Sequence, residues 1–140
     1  MTAKQYLRQL SKLQQRINIL KDEIDERRTR LESTTAPVLG DRVQTSPGGD
    51  RFADAIAILA DKDLQRQELV WIYENMRDKI VDQILELENV SQSKVLYERY
   101  VHCKRWETIA DEMYYSLQHI FHIHGAALVA FYEKYRDEIE

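Results

Sequence analysis

Residues 107–128 read ETIADEMYYSLQHIFHIHGAAL, and the spacing of their apolar side chains decides how this part of the chain folds. Two short helices that cross through a tight turn need apolar side chains at fixed positions, with a small one where the helices approach most closely. Counted from Trp106, these positions hold Ile109, Ala110, Met113, Tyr115, Ile120 and Ile123. The stretch therefore predicts a helix-turn-helix: a helix from Trp106 to Met113, a turn at residues 114–116 and a second helix from Leu117 to about Tyr135. Tyr114 occupies the turn position that usually holds Gly.

The outward face of the second helix carries side chains that can contact DNA bases. Gln can pair bidentately with adenine, His can donate to guanine or a phosphate, and Leu or Phe can contact a thymine methyl group. Ser116 is the expected N-cap. The candidate DNA-binding residues are Lys104, Arg105, Ser116, Leu117, Gln118, His119, Phe121 and His122. Residues 107–128 contain no Lys or Arg, so phosphate contacts are expected from Lys104 and Arg105, with Lys94 and Arg99 nearby.

The rest of the chain is predicted to form two long helices. Both prolines and three of the four glycines lie in residues 34–50, TTAPVLGDRVQTSPGGD, which predicts a loop. Before the loop, apolar residues follow a heptad seam with Thr2 placed as N-cap, and a similar seam runs after it from Asp50 to about Glu88. The predicted fold is all-α: residues 1–88 form an antiparallel coiled-coil hairpin with a loop at 34–49, and residues 89–140 form the helix-turn-helix domain.

The hairpin is also the expected dimerisation element. A lone amphipathic helix cannot bury its own apolar stripe, and the wide stripe on the second helix indicates a further partner, most simply a second subunit. The candidate dimerisation residues are Leu10, Leu13, Ile17, Leu20 and Ile24. Packing within one chain is the alternative. In the loop, Arg42 and Gln44 are expected to dock against the protein, with Thr45 and Ser46 capping local turns.

Composition and charge narrow the range of functions. The 140 residues have a formal net charge of -4, and residues 50–88 contain 5 basic and 10 acidic side chains. The chain as a whole is therefore not attracted to nucleic acid by its charge. Cys103 is the single cysteine, so no intramolecular disulfide forms. Without a signal peptide or a run of about 18 apolar residues, the protein is expected in the cytoplasm, away from the membrane.

Metal binding and catalysis find little support in the sequence. His119 and His122 lie three residues apart, a spacing that two zinc ligands can have, but no carboxylate completes a set on that helix face. The chain has no Gly-rich phosphate loop, no nucleophile elbow and no facing pair of carboxylates. We therefore expect no metal, no cofactor and no enzymatic activity, and we interpret Trp71 and Trp106 as core anchors.

Two segments resemble a known protein family. DRVQTSPGGD (41–50), together with RYVHCKRWETIADEMYYSLQHIFHIHGAAL (99–128), is similar to the ArpU-like and RinA-like transcriptional regulators of Gram-positive phages and prophages. Residues 106–128 also look like the last domain of sigma factors, the helix-turn-helix that reads the upstream promoter element. The resemblance implies a phage regulator that binds double-stranded DNA in the cytoplasm of a bacterial host cell. Relatives tend to have Gly and Thr at the positions of Cys103 and Arg105, and a basic residue at that of His122.

Two functions follow from these patterns. The first is a homodimeric regulator that reads promoter DNA with residues 116–122. The second is a non-enzymatic interaction protein whose helical surfaces bind a host protein, such as RNA polymerase or a defence component. Within the reading residues 116–122, only histidines can carry a positive charge, and this side chain ordinarily titrates near pH 6.5. Binding by the first function is therefore expected to strengthen as the pH falls from about 8 to about 6.

Overall fold

The computed structural model describes residues 1–35 and 48–140, and within them it contains helices and turns but no β-strand. The prediction of an all-α protein is confirmed. The helices are α1 (Ala3–Thr35), α2 (Gly48–Leu85), α3 (Val90–Leu96), α4 (Trp106–Met113) and α5 (Leu117–Ile139), and a π-helix (Tyr97–Val101) follows α3 directly. The predicted docking of Arg42 and Gln44, with turns capped by Thr45 and Ser46, lies outside the described residues.

Side chains cap the starts of α1 and α3, whereas α2 begins at Gly48, two residues before the Asp50 expected to cap it. At the start of α1, the Gln5 backbone N–H donates to Thr2 Oγ1 (3.1 Å), while the Thr2 N–H donates to Gln5 Oε1 (2.9 Å). This reciprocal pair is a capping box, which satisfies two backbone donors that the helix itself leaves unpaired. At the start of α3, Asn89 accepts from the Gln92 N–H (3.0 Å).

The chain divides into two compact units. The larger unit comprises residues 1–14 and 73–140, and the smaller unit comprises residues 15–72. The larger unit thus joins the predicted helix-turn-helix segment to the first part of α1 and the last part of α2. The functional division at residue 88 stays a prediction.

The main core of the larger unit is built from both ends of the chain. Leu7 and Leu10 of α1, Ile80 and Ile84 of α2 and Phe131 of α5 are almost fully buried in one cluster. Burial of each such side chain contributes about 1.5–3 kcal/mol relative to full exposure. Polar groups inside this core are satisfied: the Tyr6 hydroxyl donates to Gln83 Oε1 and the Tyr135 hydroxyl to the Gln83 carbonyl, both at 2.9 Å.

A second core cluster lies beneath α4 and α5. It consists of Val95, Ile109, Ala110, Ile120 and Ile123, with Trp106 and Met113 partly buried against it. The burial that the sequence predicts for these apolar positions is therefore confirmed, with one exception. Tyr115, expected to face inward, is 40% exposed, because its ring turns towards His119 at the surface.

The smaller unit buries only part of its apolar surface. Its buried side chains include Ile17 and Ile24 of α1, whereas α2 exposes Phe52, Ile56, Ile58, Leu64 and Trp71. The interpretation of Trp71 as a core anchor is wrong, because its side chain is 67% exposed. Two helical segments alone can cover only one side of each other, which leaves the remaining face of α2 open to solvent.

The candidate dimerisation residues are mostly buried within the single chain. Leu10, Leu13, Ile17 and Ile24 are between 1% and 9% exposed, and Leu20 is half-buried. Most of this seam is therefore used in the chain's own packing, and dimerisation stays a prediction. Among the described residues, no helix is both long and apolar enough to cross a bilayer.

Candidate nucleic-acid interface

The connection between α3 and α4 sets the position of the basic residues that flank the motif. The π-helix ends in a turn in which the His102 N–H donates to the Tyr97 carbonyl (3.2 Å) and the Lys104 N–H to the Glu98 carbonyl (3.1 Å). Cys103 lies between them with φ 56°, a conformation that favours Gly.

A buried carboxylate organises this connection. Glu98 is only 3% exposed, and its oxygens contact Lys94 Nζ (3.1 Å), His102 Nδ1 (3.4 Å) and Lys104 Nζ. Burial by itself raises the pKa of Glu98, but hydrogen bonds from Lys104, Lys94 and His102 outweigh it and lower the pKa to about 2. Glu98 is therefore ionised at neutral pH and holds two lysines.

Lys104 is shared between two carboxylates. Besides Glu98, its ammonium group contacts Glu112 Oε2 at 2.8 Å, near the end of α4. The hydrogen bonds with Glu112 and Glu98 raise the pKa of Lys104, so its charge is permanent near neutral pH but already partnered. Lys104, a candidate phosphate ligand, is therefore already paired with two carboxylates in the absence of DNA.

The other flanking cations differ in how accessible they are. The Arg99 guanidinium lies over the Trp106 ring at 4.4 Å and donates to the Lys104 carbonyl (2.9 Å), so it supports the start of α4. The Arg105 side chain is 84% exposed and lies 3.8 Å from Glu107. Of the four basic residues predicted near the motif, Arg105 is the most available to a phosphate.

The turn between α4 and α5 keeps its shape without Gly. Tyr114 has φ 59° and ψ 39°, the left-handed region, and its side chain is 93% exposed. The Tyr115 N–H donates to the Ala110 carbonyl (3.0 Å) and the Tyr114 N–H to the Asp111 carbonyl (3.3 Å), the pairing of a Schellman motif. Two of the carbonyl groups that the end of α4 leaves unpaired are therefore satisfied, although Tyr114 adopts a conformation that is unfavourable for a residue with a Cβ atom.

The N-terminal part of α5 presents the predicted reading face to solvent. Ser116 caps the helix, because its Oγ accepts from the His119 N–H at 3.1 Å. Every predicted residue of this face is exposed: Ser116, Leu117, Gln118, His119, Phe121 and His122. The structure thus brings these six side chains onto one accessible surface. Phe121 is 47% exposed, and its ring edge packs on Trp106 with centroids 5.4 Å apart.

His124 has a structural role that the sequence patterns missed. Its ring packs on Trp106, with centroids 4.5 Å apart, and its Nε2 lies 2.7 Å from the Tyr100 hydroxyl. Burial, together with the charges of Lys4, Arg99 and Arg8, lowers the pKa of His124 to about 4. His124 is therefore neutral at pH 7, and its hydrogen bond with Tyr100 connects α5 to the π-helix.

Sequence patterns also missed Glu98, whose local signal is its i,i+4 spacing from both Lys94 and His102. For metals, the described residues contain no group of three or more His, Cys, Asp or Glu side chains arranged to hold an ion. His119 instead packs edge-on against Tyr115, with ring centroids 4.6 Å apart.

Comparison with known proteins yields no match. No protein-family model, no curated protein and no solved structure is similar enough to this chain to be matched. The similarity of residues 99–128 to phage regulators and sigma factors therefore stays an interpretation of the motif. Support for a function comes from the chain's own residues.

Proposed function

We propose that this protein is a transcriptional regulator of phage or prophage genes that binds double-stranded promoter DNA. In this proposal α4, the Tyr114–Ser116 turn and α5 form a sigma-like helix-turn-helix. The observation that supports it is the exposed N-terminal face of α5, while Ile120 and Ile123 on the other side of the same helix are buried. A recognition helix needs this combination, because its first turns must enter the major groove while its opposite side holds the domain together.

The exposed side chains have the chemistry for reading bases. The Gln118 amide can pair bidentately with adenine, and His119 and His122 can donate to guanine or a phosphate. Phosphate contacts come from Arg105 and from the backbone N–H groups at the start of α5, where the helix dipole favours an anion. Because these contacts are few, affinity depends on base reading more than is usual for such domains.

The long helices have a supporting role in this proposal. Residues 1–88 form an antiparallel hairpin, supported by the packing of Leu7 and Leu10 against Ile80 and Ile84. The hairpin carries the homodimer contacts, and a dimer would double the phosphate and base contacts of one domain. Catalysis has no part in the proposal.

Selection of bound fragments from a randomised duplex pool tests DNA binding directly. We expect the wild type to enrich a defined sequence at low salt, more strongly at pH 6 than at pH 8. Gln118→Ala should weaken binding to that sequence by about 1–3 kcal/mol, with little effect on other duplexes. Gln65→Ala, which removes an amide from an exposed position of α2, is the matched control and should change nothing. Failure to enrich any sequence at low salt and pH 6 would contradict the proposal.

A second candidate function has an observation of its own. Tyr114, Tyr115, Leu117 and Phe121 together expose a largely uncharged, aromatic surface around the turn. Protein interfaces are enriched in such aromatic residues and poor in lysine, so this surface fits a host protein such as RNA polymerase. Binding of purified host RNA polymerase that is lost in Tyr114→Ser with Phe121→Ser, and kept in Gln118→Ala, would favour this function over DNA reading.

A further inference from the structure

We propose that Glu112 competes with DNA phosphate for Lys104 and thereby lowers the affinity of the helix-turn-helix for DNA of any sequence. This inference rests on the proposed DNA-binding function. It assigns to Glu112 a role in overall DNA affinity and its salt dependence.

The two carboxylates on Lys104 differ in accessibility. The Glu98 side chain is 4% exposed and also binds Lys94 and His102, so it remains in place when the surface changes. The Glu112 side chain is 45% exposed, and the Lys104 side chain is 30% exposed. An exposed ion pair contributes only about 0–1 kcal/mol, so an approaching phosphate can displace Glu112 but not Glu98.

The position of this pair suits a phosphate contact. In a helix-turn-helix, the first helix crosses the DNA backbone while the second enters the groove. Lys104 lies just before α4, and its ammonium group reaches Glu112 near the end of that helix. An ammonium held along the first helix is thus close to the backbone, and Glu112 is the anion already bound there.

Restraint of Lys104 affects the binding of preferred and random DNA sequences alike. Contacts to phosphate supply nearly all of the affinity for random sequences, whereas a preferred site adds base contacts. A contact between Lys104 and a phosphate is present in both cases, so a carboxylate that occupies the lysine weakens binding to preferred and random sequences by the same factor. Glu112 therefore lowers overall affinity and leaves the ratio of specific to non-specific affinity unchanged.

The test compares how tightly variants that each lack one carboxylate bind a short duplex of randomised sequence. Glu112→Gln should bind this duplex at least roughly threefold more tightly at low salt, and the slope of log K against log salt should steepen by about 1. Asp111→Asn is the matched control, because it removes the same charge from the neighbouring position of α4 while the pair between Lys104 and Glu112 stays intact. The gain from Asp111→Asn should be clearly smaller, with an unchanged slope.

A double variant assigns the effect to the lysine. In a Lys104→Gln background, Glu112→Gln should raise the affinity for the duplex no more than Asp111→Asn does, because the lysine that Glu112 pairs with is no longer present. Equal effects of Glu112→Gln and Asp111→Asn, or a full gain without Lys104, would overturn the inference, as would a Glu112→Gln protein that binds no duplex at low salt.

The outcomes separate this inference from the proposed function. A wild type that selects a defined sequence, together with an unchanged Glu112→Gln, would overturn the inference and leave the DNA-binding function standing. A wild type that selects nothing, together with a Lys104-dependent gain in Glu112→Gln, would support the role of Glu112 at Lys104 and contradict specific DNA reading by the native chain.

Discussion

At the scale of single residues, Tyr114 shows a conflict between backbone and side chain. Its φ of 59° is the left-handed conformation, in which a Cβ atom crowds the following carbonyl oxygen. The 93% exposed ring leaves little contact energy to offset this strain. Tyr114 therefore lowers the stability of the fold. Such a cost is consistent with a role for the exposed ring in binding a protein, as in the second candidate function.

Replacement of Tyr114 by Gly should stabilise the protein. Gly adopts a positive φ without the Cβ clash, and we expect the free energy of unfolding to rise by about 1 kcal/mol. Denaturant unfolding followed by circular dichroism measures the change. Tyr114→Ala is the control, since it removes the exposed ring but keeps a Cβ atom, and it should give no such gain. A Gly variant no more stable than the Ala variant would contradict the argument.

At the scale of structural elements, the π-helix and the turn at Cys103 bring together charges that lie apart on a regular helix. Glu98, Lys94 and His102 share one helical face, but Lys104 reaches the same carboxylate only because the chain turns back at Cys103. The result is a buried anion whose partners include Lys104, one of the basic residues predicted to bind DNA. The π-helix and the turn at Cys103, which lead into the helix-turn-helix, therefore also place Lys104 against the Glu98 carboxylate.

Glu98 should make stability depend on pH in the acid range. Its pKa is about 2 in the folded protein and near 4.5 in the unfolded chain, so its contribution is complete above about pH 4.5 and is lost as the pH falls towards 2. Glu98→Gln should lower the free energy of unfolding at pH 7 by about 2 kcal/mol. The difference between wild type and variant should then shrink as the pH is lowered through this range.

Denaturant unfolding at a series of pH values measures this dependence. Glu112→Gln is the control, because its carboxylate is exposed and binds Lys104 alone, and we expect a small offset that varies little with acid pH. A Glu98→Gln offset that stays constant from pH 6 to pH 2 would show that the buried ion pairs do not contribute to stability as described.

At the scale of the whole molecule, the heptad seam of α1 takes part in two compact units. Leu10 and Leu13 belong to the larger unit, while Ile17, Leu20 and Ile24 belong to the smaller one. Four of these five side chains are buried within the chain, which leaves Leu20 as the half-buried member. A dimer that uses this seam must therefore form around Leu20 and its exposed neighbours.

Charged substitutions in the seam test its part in assembly. We expect the wild type to be an oligomer, and Leu13→Asp with Leu20→Asp to give a destabilised monomer, because an unpaired buried charge costs several kcal/mol. Light scattering gives the mass, and circular dichroism reports the folded fraction. Val129→Asp, at a site of α5 that is 59% exposed and lies outside the seam, is the control for added charge and should remain folded. A wild type that is monomeric at micromolar concentration would contradict the dimer.

The sequence by itself determined the all-helical class, the caps of α1 and α5 and the inward face of the C-terminal motif. Thr2 and Ser116 cap α1 and α5 as predicted, and Ile109, Ala110, Ile120 and Ile123 are buried. These features depend on residues within one or two helical turns, so the periodicity of the chain carries the information. The outward placement of Gln118 and His122 follows from the same periodicity.

Only the tertiary structure decided what the remaining side chains contact. Lys104 bonds to Glu112, eight residues away, and His124 bonds to Tyr100, 24 residues away. Trp71 is exposed although its side chain is large and apolar. Such contacts depend on the path of the backbone through the π-helix and the left-handed turns at Cys103 and Tyr114. No helical or heptad period encodes these turns. The periodicity that determines which helix face is buried therefore does not specify whether an exposed cation is free or already paired.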